Sequence, residues 1–226
     1  MKEYKILFLD LDNTLLDFNK SESSAIRQVL SDFSLPCDDI AVETYSKIND
    51  SYWKRFEKGE IQKDDIFEGR FKTFLEHYNL KADTSAISKA YFLALAETYF
   101  VIDGAIDILE YLKGKGYYLC ATTNGVASTQ YNRIKNSRLE PYFDKVFVSE
   151  TVGFQKPQKE YFQFVLDNIP FSDKTTALII GDSQSSDILG GINSGIDTCW
   201  YNPKSEKPIY PSKFEIKSLC EIKTIL

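Results

Sequence analysis

From residue 105 onward the chain alternates helix-like and strand-like segments: helices over 105–112, 128–137, 158–168 and 186–193, and strands over 117–122, 145–149, 176–181 and 197–201. An earlier strand, from Lys5 to Leu11, is a nearly continuous apolar run that closes on carboxylates. Strands that are apolar on both faces and each followed by a helix specify a parallel sheet covered by helices on both sides. The expected fold is α/β, with a parallel-sheet core. Such sheets bind ligands outside the carboxyl ends of their strands, so polar residues at those ends are where chemistry belongs.

The first and second strands lie too far apart for a simple βαβ unit. Helical spacing fills the gap. Ala25, Ile26, Val29, Leu30 and Phe33 share a helix for which Ser21 is the expected cap, and a second helix runs from about Val42 to Lys58 before Gly59 ends it. A third carries Phe67, Phe71, Phe74 and Tyr78, and a fourth covers residues 86–100. Residues 17–97 are expected to form an inserted α-helical domain, and residues 1–16 with 98–226 the α/β core.

The 226 residues, 43% hydrophobic and 27% charged, suffice for a packed globule. A net charge of -6 works against a nucleic-acid polymer or an anionic membrane as partner, and no protein partner is implied. The single histidine, His77, excludes multi-histidine zinc sites and reads as a surface or helix-end residue. Cys37, Cys120, Cys199 and Cys220 form no CxxC pair and read as small buried hydrophobes. The apolar run Ile6 to Leu9 is too short for a secretory or membrane segment, so a cytoplasmic location is expected.

Four strand ends are polar: Asp10-Leu-Asp12-Asn-Thr14, Thr122-Thr-Asn-Gly125, Lys156 before Pro157, and Gly181-Asp-Ser-Gln-Ser-Ser-Asp187. Helix capping and turn formation alone do not require such residues at four strand ends of one sheet. Carboxylates sharing one rim repel each other, which a hard divalent ion relieves; Asp10 and Asp182, with a backbone carbonyl, suit magnesium and a substrate phosphate. An ionised Asp is nucleophilic without a base, so Asp10 is the candidate nucleophile for an aspartyl-phosphate. Asp12 falls on the same face if strand geometry persists, and there it could act as acid and then base. Thr123, Asn124 and Lys156 would bind and neutralise the phosphoryl group.

The chain resembles the haloacid dehalogenase-like hydrolase superfamily: DLDNT at 10–14, TTNG at 122–125, QKP at 155–157 and GDSQSSD at 181–187 match its four motifs in order. The resemblance covers the whole chain and implies a helical cap on a modified Rossmann core. It implies Asp10 as nucleophile, Asp12 as acid/base, and Thr123 and Lys156 on the phosphoryl group. Asp10, the Asp12 carbonyl and Asp182 would hold Mg2+, with Asp187 behind them. Dehalogenase members lack the second acid and ATPase members carry threonine there, so Asp12 implies a phosphatase.

The segments DLDNTLLDF, VSETVGFQKP and GDSQSSDILGGINSGIDTCWYN resemble the pyrimidine 5'-nucleotidase group, which implies a nucleoside 5'-monophosphate as the small phosphomonoester substrate, with non-standard nucleotides included. A sugar phosphate or phosphoglycolate phosphatase, a phosphoglucomutase-like enzyme and a non-catalytic sensor remain the alternatives. Phe18, just beyond the catalytic loop, is the candidate substrate contact. The insert aromatics Tyr45, Tyr52, Trp53, Phe56, Phe67, Phe71 and Phe74 offer rings for base stacking, but their helical spacing favours packing. The run from Gly190 to Gly195 lacks a GK[ST] ending and reads as close helix packing with a stop. Lys204, Lys207 and Lys213 read as solvated tail residues.

Overall fold

The computed structural model describes residues 3–226. Two compact units emerge, one built from the chain up to Asp17 with Val101–Leu226, the other from Phe18–Phe100. The first unit opens with β1 (Ile6–Leu9). The second holds α1 (Phe18–Asp32), α2 (Asp39–Glu57), α3 (Lys63–His77) and α4 (Thr84–Ala96). The first unit resumes with α5 (Ala105–Gly114), β2 (Tyr118–Thr123), α6 (Ala127–Asn136), β3 (Lys145–Val148), α7 (Ser149–Val152) and α8 (Lys159–Asp167). It ends with β4 (Ala177–Gly181), α9 (Leu189–Ser194), β5 (Asp197–Tyr201), β6 (Phe214–Ile216) and α10 (Ile222–Ile225).

Among the described residues the sheet has six strands in the order β3-β2-β1-β4-β5-β6, all parallel. Period-2 alternation sorts β1 between two cores. Leu7 and Leu9 join Leu109, Leu112 and Leu178 on one face. Ile6 and Phe8 join Phe162 and Val165 on the other, with the Phe8 and Phe162 rings 5.8 Å apart. All four β1 side chains are almost fully buried, each contributing about 1.5–3 kcal/mol relative to exposure. After β1 the chain first builds outward through β2 and β3, then turns back to place β4 on the other side. Strand order therefore reverses between β1 and β4, where a parallel sheet opens a crevice at its carboxyl edge.

In the helical unit α1 packs on α4 and α2, and α3 packs on α2 and α4. Tyr45 is buried and stacks on Phe71 at 5.2 Å, with Phe74 edge-on at 6.2 Å. Phe56 is also buried, while Tyr52, Trp53 and Phe67 are half-buried. Packing is thus the role these rings show.

Several local expectations need correction. Helix α1 begins at Phe18, so Ser21 is an interior, buried residue and not a cap; a small hydroxyl side chain sits four residues before buried Ala25 on the same inward face. The cap of α2 is Asp38, whose carboxylate accepts from Ala41 N–H at 2.8 Å. The helix expected over 86–100 stops at Ala96, and Leu16 bridges Val101 where the chain re-enters the first unit. The tail is not only surface: Phe214–Ile216 forms the edge strand β6, and Lys213 pairs with Asp197 at 2.6 Å. Cys120 and Cys199 are buried, but Cys37 is half-buried and Cys220 exposed. His77 is exposed at the last position of α3, and Gly195 ends α9 in the left-handed conformation. Among the described residues no helix is long and apolar enough to cross a membrane.

Candidate active site

Asp10 follows β1 directly, and its N–H still donates to Ile180 O at 2.9 Å. Beyond it the chain leaves the sheet. The Leu11 carbonyl accepts from the N–H groups of Leu15 and Leu16 at 2.9 and 2.8 Å, and Asn13 takes a positive φ of 59°. Strand geometry does not persist to Asp12, so the same-face argument for Asp12 fails. The turn sends its carboxylate to α6, where Oδ2 accepts from Gln130 Nε2 at 2.8 Å and Oδ1 accepts from the Arg133 guanidinium.

Asp10 instead meets Lys156. The Lys156 ammonium is almost fully buried and donates to Asp10 Oδ1 at 2.7 Å, Asp187 Oδ1 at 2.6 Å and Thr122 O at 2.9 Å, which occupies all three of its protons. Asn124 clamps the Lys156 backbone from both sides: Nδ2 donates to Lys156 O at 2.8 Å and Oδ1 accepts from Lys156 N–H at 2.9 Å. The Asn124 side chain is therefore a brace for the lysine segment, which leaves its main chain as the part that could face a phosphate. Thr123 Oγ1 accepts from Gly125 N–H at 3.0 Å and from Gln130 Nε2 at 2.9 Å, so its own hydroxyl proton is the donor it can offer.

Asp182 sits one residue past β4, its carbonyl accepting from Trp200 Nε1 at 2.8 Å. Thr14 joins the two edges of the crevice. Its hydroxyl donates to Asp10 Oδ2 at 3.1 Å, lies 3.4 Å from Asp182 Oδ1 and accepts from Asp182 N–H at 3.1 Å. A π-helical turn over Gln184–Ile188 swings Asp187 inward, fully buried, with Oδ2 accepting from Ser183 N–H at 3.1 Å. Only glycine fits beside it, since a Cβ on Gly181 would stand 2.2 Å from Asp187 Oδ2.

Carboxylate oxygens of Asp10, Asp182 and Asp187 lie within 4.8 Å of one another. Burial pushes the Asp10 carboxyl up to about 7 against the opposing pull of Lys156, with Asp187 adding to the rise. Burial, then Asp10 and Asp187, also hold Asp182 well above the usual carboxylate range. Burial works against the Lys156 charge, but Asp10 and Asp187 outweigh it and raise the ammonium further. Fully ionised, the three carboxylates would exceed the one ammonium by two negative charges, which a single divalent cation would neutralise. All-oxygen donors of this kind fit a hard cation.

The structure brings Asp10, Lys156, Asp182 and Asp187 into one cluster, with Asp12, Thr123 and Asn124 beside it. Phe18 belongs to the helical unit and packs against the cluster containing Ala25, Tyr45 and Phe71. Sequence reasoning assigned no role to Thr14, Gln130 or Arg133. Gln130 and Arg133 are buried polar residues three apart on α6, a signal visible only once that helix is placed.

A family model described as haloacid dehalogenase-like hydrolase matches residues 6–201. The chain belongs to the haloacid dehalogenase-like hydrolase family. It is 40% identical to the HAD-hydrolase YfnB of Bacillus subtilis, over 100% of this chain and 97% of that protein. The crystal structure of YfnB bound to magnesium superposes with a TM-score of 0.95 at 39% identity, covering 100% of this chain and 99% of that one. Pyrimidine 5'-nucleotidase PynA of Streptococcus pneumoniae is 38% identical over 88% of this chain and 84% of its own length. Pyrimidine 5'-nucleotidase YjjG of Escherichia coli is 31% identical over 97% and 96%. A more distant relative, at 28% identity over 87% and 81%, is the glyceraldehyde 3-phosphate phosphatase of Pyrococcus abyssi. As a member of this hydrolase family the chain is an enzyme, and the acidic cluster at the crevice between β1 and β4 is its candidate site.

Proposed function

We propose that this hydrolase is a magnesium-dependent phosphomonoesterase acting on nucleoside 5'-monophosphates, pyrimidine preferred, through an aspartyl-phosphate on Asp10. What supports the reading is the separate placement of two carboxylates that stand two residues apart after β1. Asp10 is gripped by Lys156 and Thr14 inside the crevice, and Asp12 is held apart by α6. Asp10, the Asp12 carbonyl and Asp182 are the residues assigned to hold Mg2+, with Asp187 and Lys156 behind them. When bound, the ion would supply charge neutralisation to an incoming phosphate dianion.

An Asp10 carboxylate oxygen attacks phosphorus while Asp12, as the acid, gives its proton to the departing nucleoside oxygen. Water then attacks the phosphoryl group, gives a proton to the Asp12 carboxylate, and Asp10 is released with inorganic phosphate. The Thr123 hydroxyl and the Asn124 main chain bind phosphoryl oxygens. Lys156 reaches the reaction through Asp10, whose carboxylate it orients and whose charge it balances. By the family resemblance residues 17–97 are assigned the role of a substrate-selecting cap domain, with Phe18 as the candidate contact for the nucleoside part.

The pyrimidine preference draws on the resemblance to PynA and YjjG. The Pyrococcus relative supports a second reading, a phosphatase for a small sugar phosphate. Phosphate release from dUMP, dTMP, UMP, dAMP, glucose 6-phosphate, phosphoglycolate, glyceraldehyde 3-phosphate and p-nitrophenyl phosphate, with magnesium or EDTA, separates them. Magnesium-dependent release fastest on pyrimidine monophosphates is the expected result. A preference for glyceraldehyde 3-phosphate or another non-nucleotide overturns the substrate assignment, and release unaffected by EDTA overturns the metal.

A further inference from the structure

We propose that Gln130 and Arg133 are positioning residues for Asp12, an inference that rests on the acid/base reading given above. The two side chains project from one face of α6 and are almost completely buried. With Asp12 they close a ring of hydrogen bonds. Arg133 Nη1 donates to Asp12 Oδ1 and, at 2.9 Å, to Gln130 Oε1; Gln130 Nε2 donates to Asp12 Oδ2 at 2.8 Å. Both carboxylate oxygens are thereby tied to one rigid helix, which fixes the torsions of a side chain that otherwise stands on a turn.

The same Gln130 nitrogen donates to Thr123 Oγ1 at 2.9 Å, so the acid/base and the threonine assigned to the phosphoryl group are held at one spacing. Gly125 makes room for the link, because a Cβ there would lie 2.7 Å from Gln130 Cδ and Cγ. The Arg133 side chain is fully buried while the Asp12 side chain keeps 26% of its surface exposed. The buried cation and amide thus hold the carboxylate from behind and leave its outer side open to a reactant. Proton transfer demands this kind of fixed aim, since misplacement of a reacting group by about 1 Å can cost about 10²-fold in rate.

A leaving-group comparison tests the assignment. The wild type, Asp12→Asn, Arg133→Met, Arg133→Lys and Gln130→Met proteins are compared by kcat/KM on p-nitrophenyl phosphate, whose leaving group departs without a proton, and on the alkyl phosphate the wild type hydrolyses fastest. Arg133→Met should lose about 10²-fold on the alkyl phosphate but less than about 10-fold on p-nitrophenyl phosphate. Arg133→Lys keeps the buried charge and should show the same selectivity in weaker form, so it decides the matter if circular dichroism finds Arg133→Met unfolded. In the Asp12→Asn background the Arg133 substitutions should cost nothing further, whereas Gln130→Met should keep the part of its loss that runs through Thr123. Equal losses on both substrates, or full additivity with Asp12→Asn, would overturn the proposal. Should Asp12→Asn itself lose equally on both substrates, the acid/base reading fails first, and separately.

Discussion

Asp10 and Asp182 are carboxyls whose folded forms hold protons more tightly than an unfolded chain does, chiefly through burial. In the metal-free protein the folded state therefore binds more protons than the unfolded one between about pH 4 and the raised values. Stability must fall as pH rises through that window, by about 1.4 kcal/mol per unit for each group titrating. Magnesium bound at the proposed site would displace those protons, so its stabilising effect should grow as pH rises. The prediction is a Tm in EDTA that declines from about pH 5 to about pH 8 more steeply than that of Asp182→Asn, with a magnesium upshift largest at the alkaline end. Parallel EDTA profiles for the two proteins would contradict it. At this scale the sequence showed residue types well and orientation poorly. Asp10 and Asp182 were legible because each directly follows a parallel strand, and Lys156 because it falls in the connection beyond β3 and α7. Asp12 was misplaced because the β1 ladder stops at Leu9, and the turn around positive-φ Asn13 redirects it.

Elements act on the site through their close approach. Strand β4 and the π-helical turn after it meet at Gly181, where the missing side chain lets Asp187 reach both Lys156 and the Ser183 N–H. Gly181→Ala should therefore force Asp187 off its partners, costing about 1–3 kcal/mol of stability in urea denaturation and reducing kcat. An unchanged urea midpoint with wild-type kcat would show that the turn has slack. Apart from the one-turn α7, the longer strands and helices of the core were legible from their apolar runs, with ends moving by one to three residues. The π-helical turn was not, because no periodicity marks a single widened turn. The edge strand β6 was hidden by its length, three residues in a Lys- and Pro-containing tail. Gln130 and Arg133 were hidden for a different reason: on an isolated helix they read as ordinary surface polar residues, and only the packing of α6 buries them.

For the whole molecule, the long helical stretch between the first two strands was readable from spacing alone, and the structure divides the chain after Asp17 and after Phe100. The later division lies a few residues beyond the expected one, because Tyr99 and Phe100 stay with the helices and Val101 is the residue that bridges back to Leu16. What the helical unit selects was not legible, since its aromatic rings serve its own core first.

Covalent catalysis by Asp10 can be seen by acid-quenching the Asp12→Asn protein during turnover of p-nitrophenyl phosphate with magnesium and mapping its peptides by mass spectrometry. That leaving group needs no proton, while the second step lacks its base, so the intermediate should accumulate. One phosphoryl group should appear on the peptide containing Asp10 and be absent when Asp10→Asn is added. A phosphoryl group on another residue, or turnover with no adduct at any time point, would contradict it.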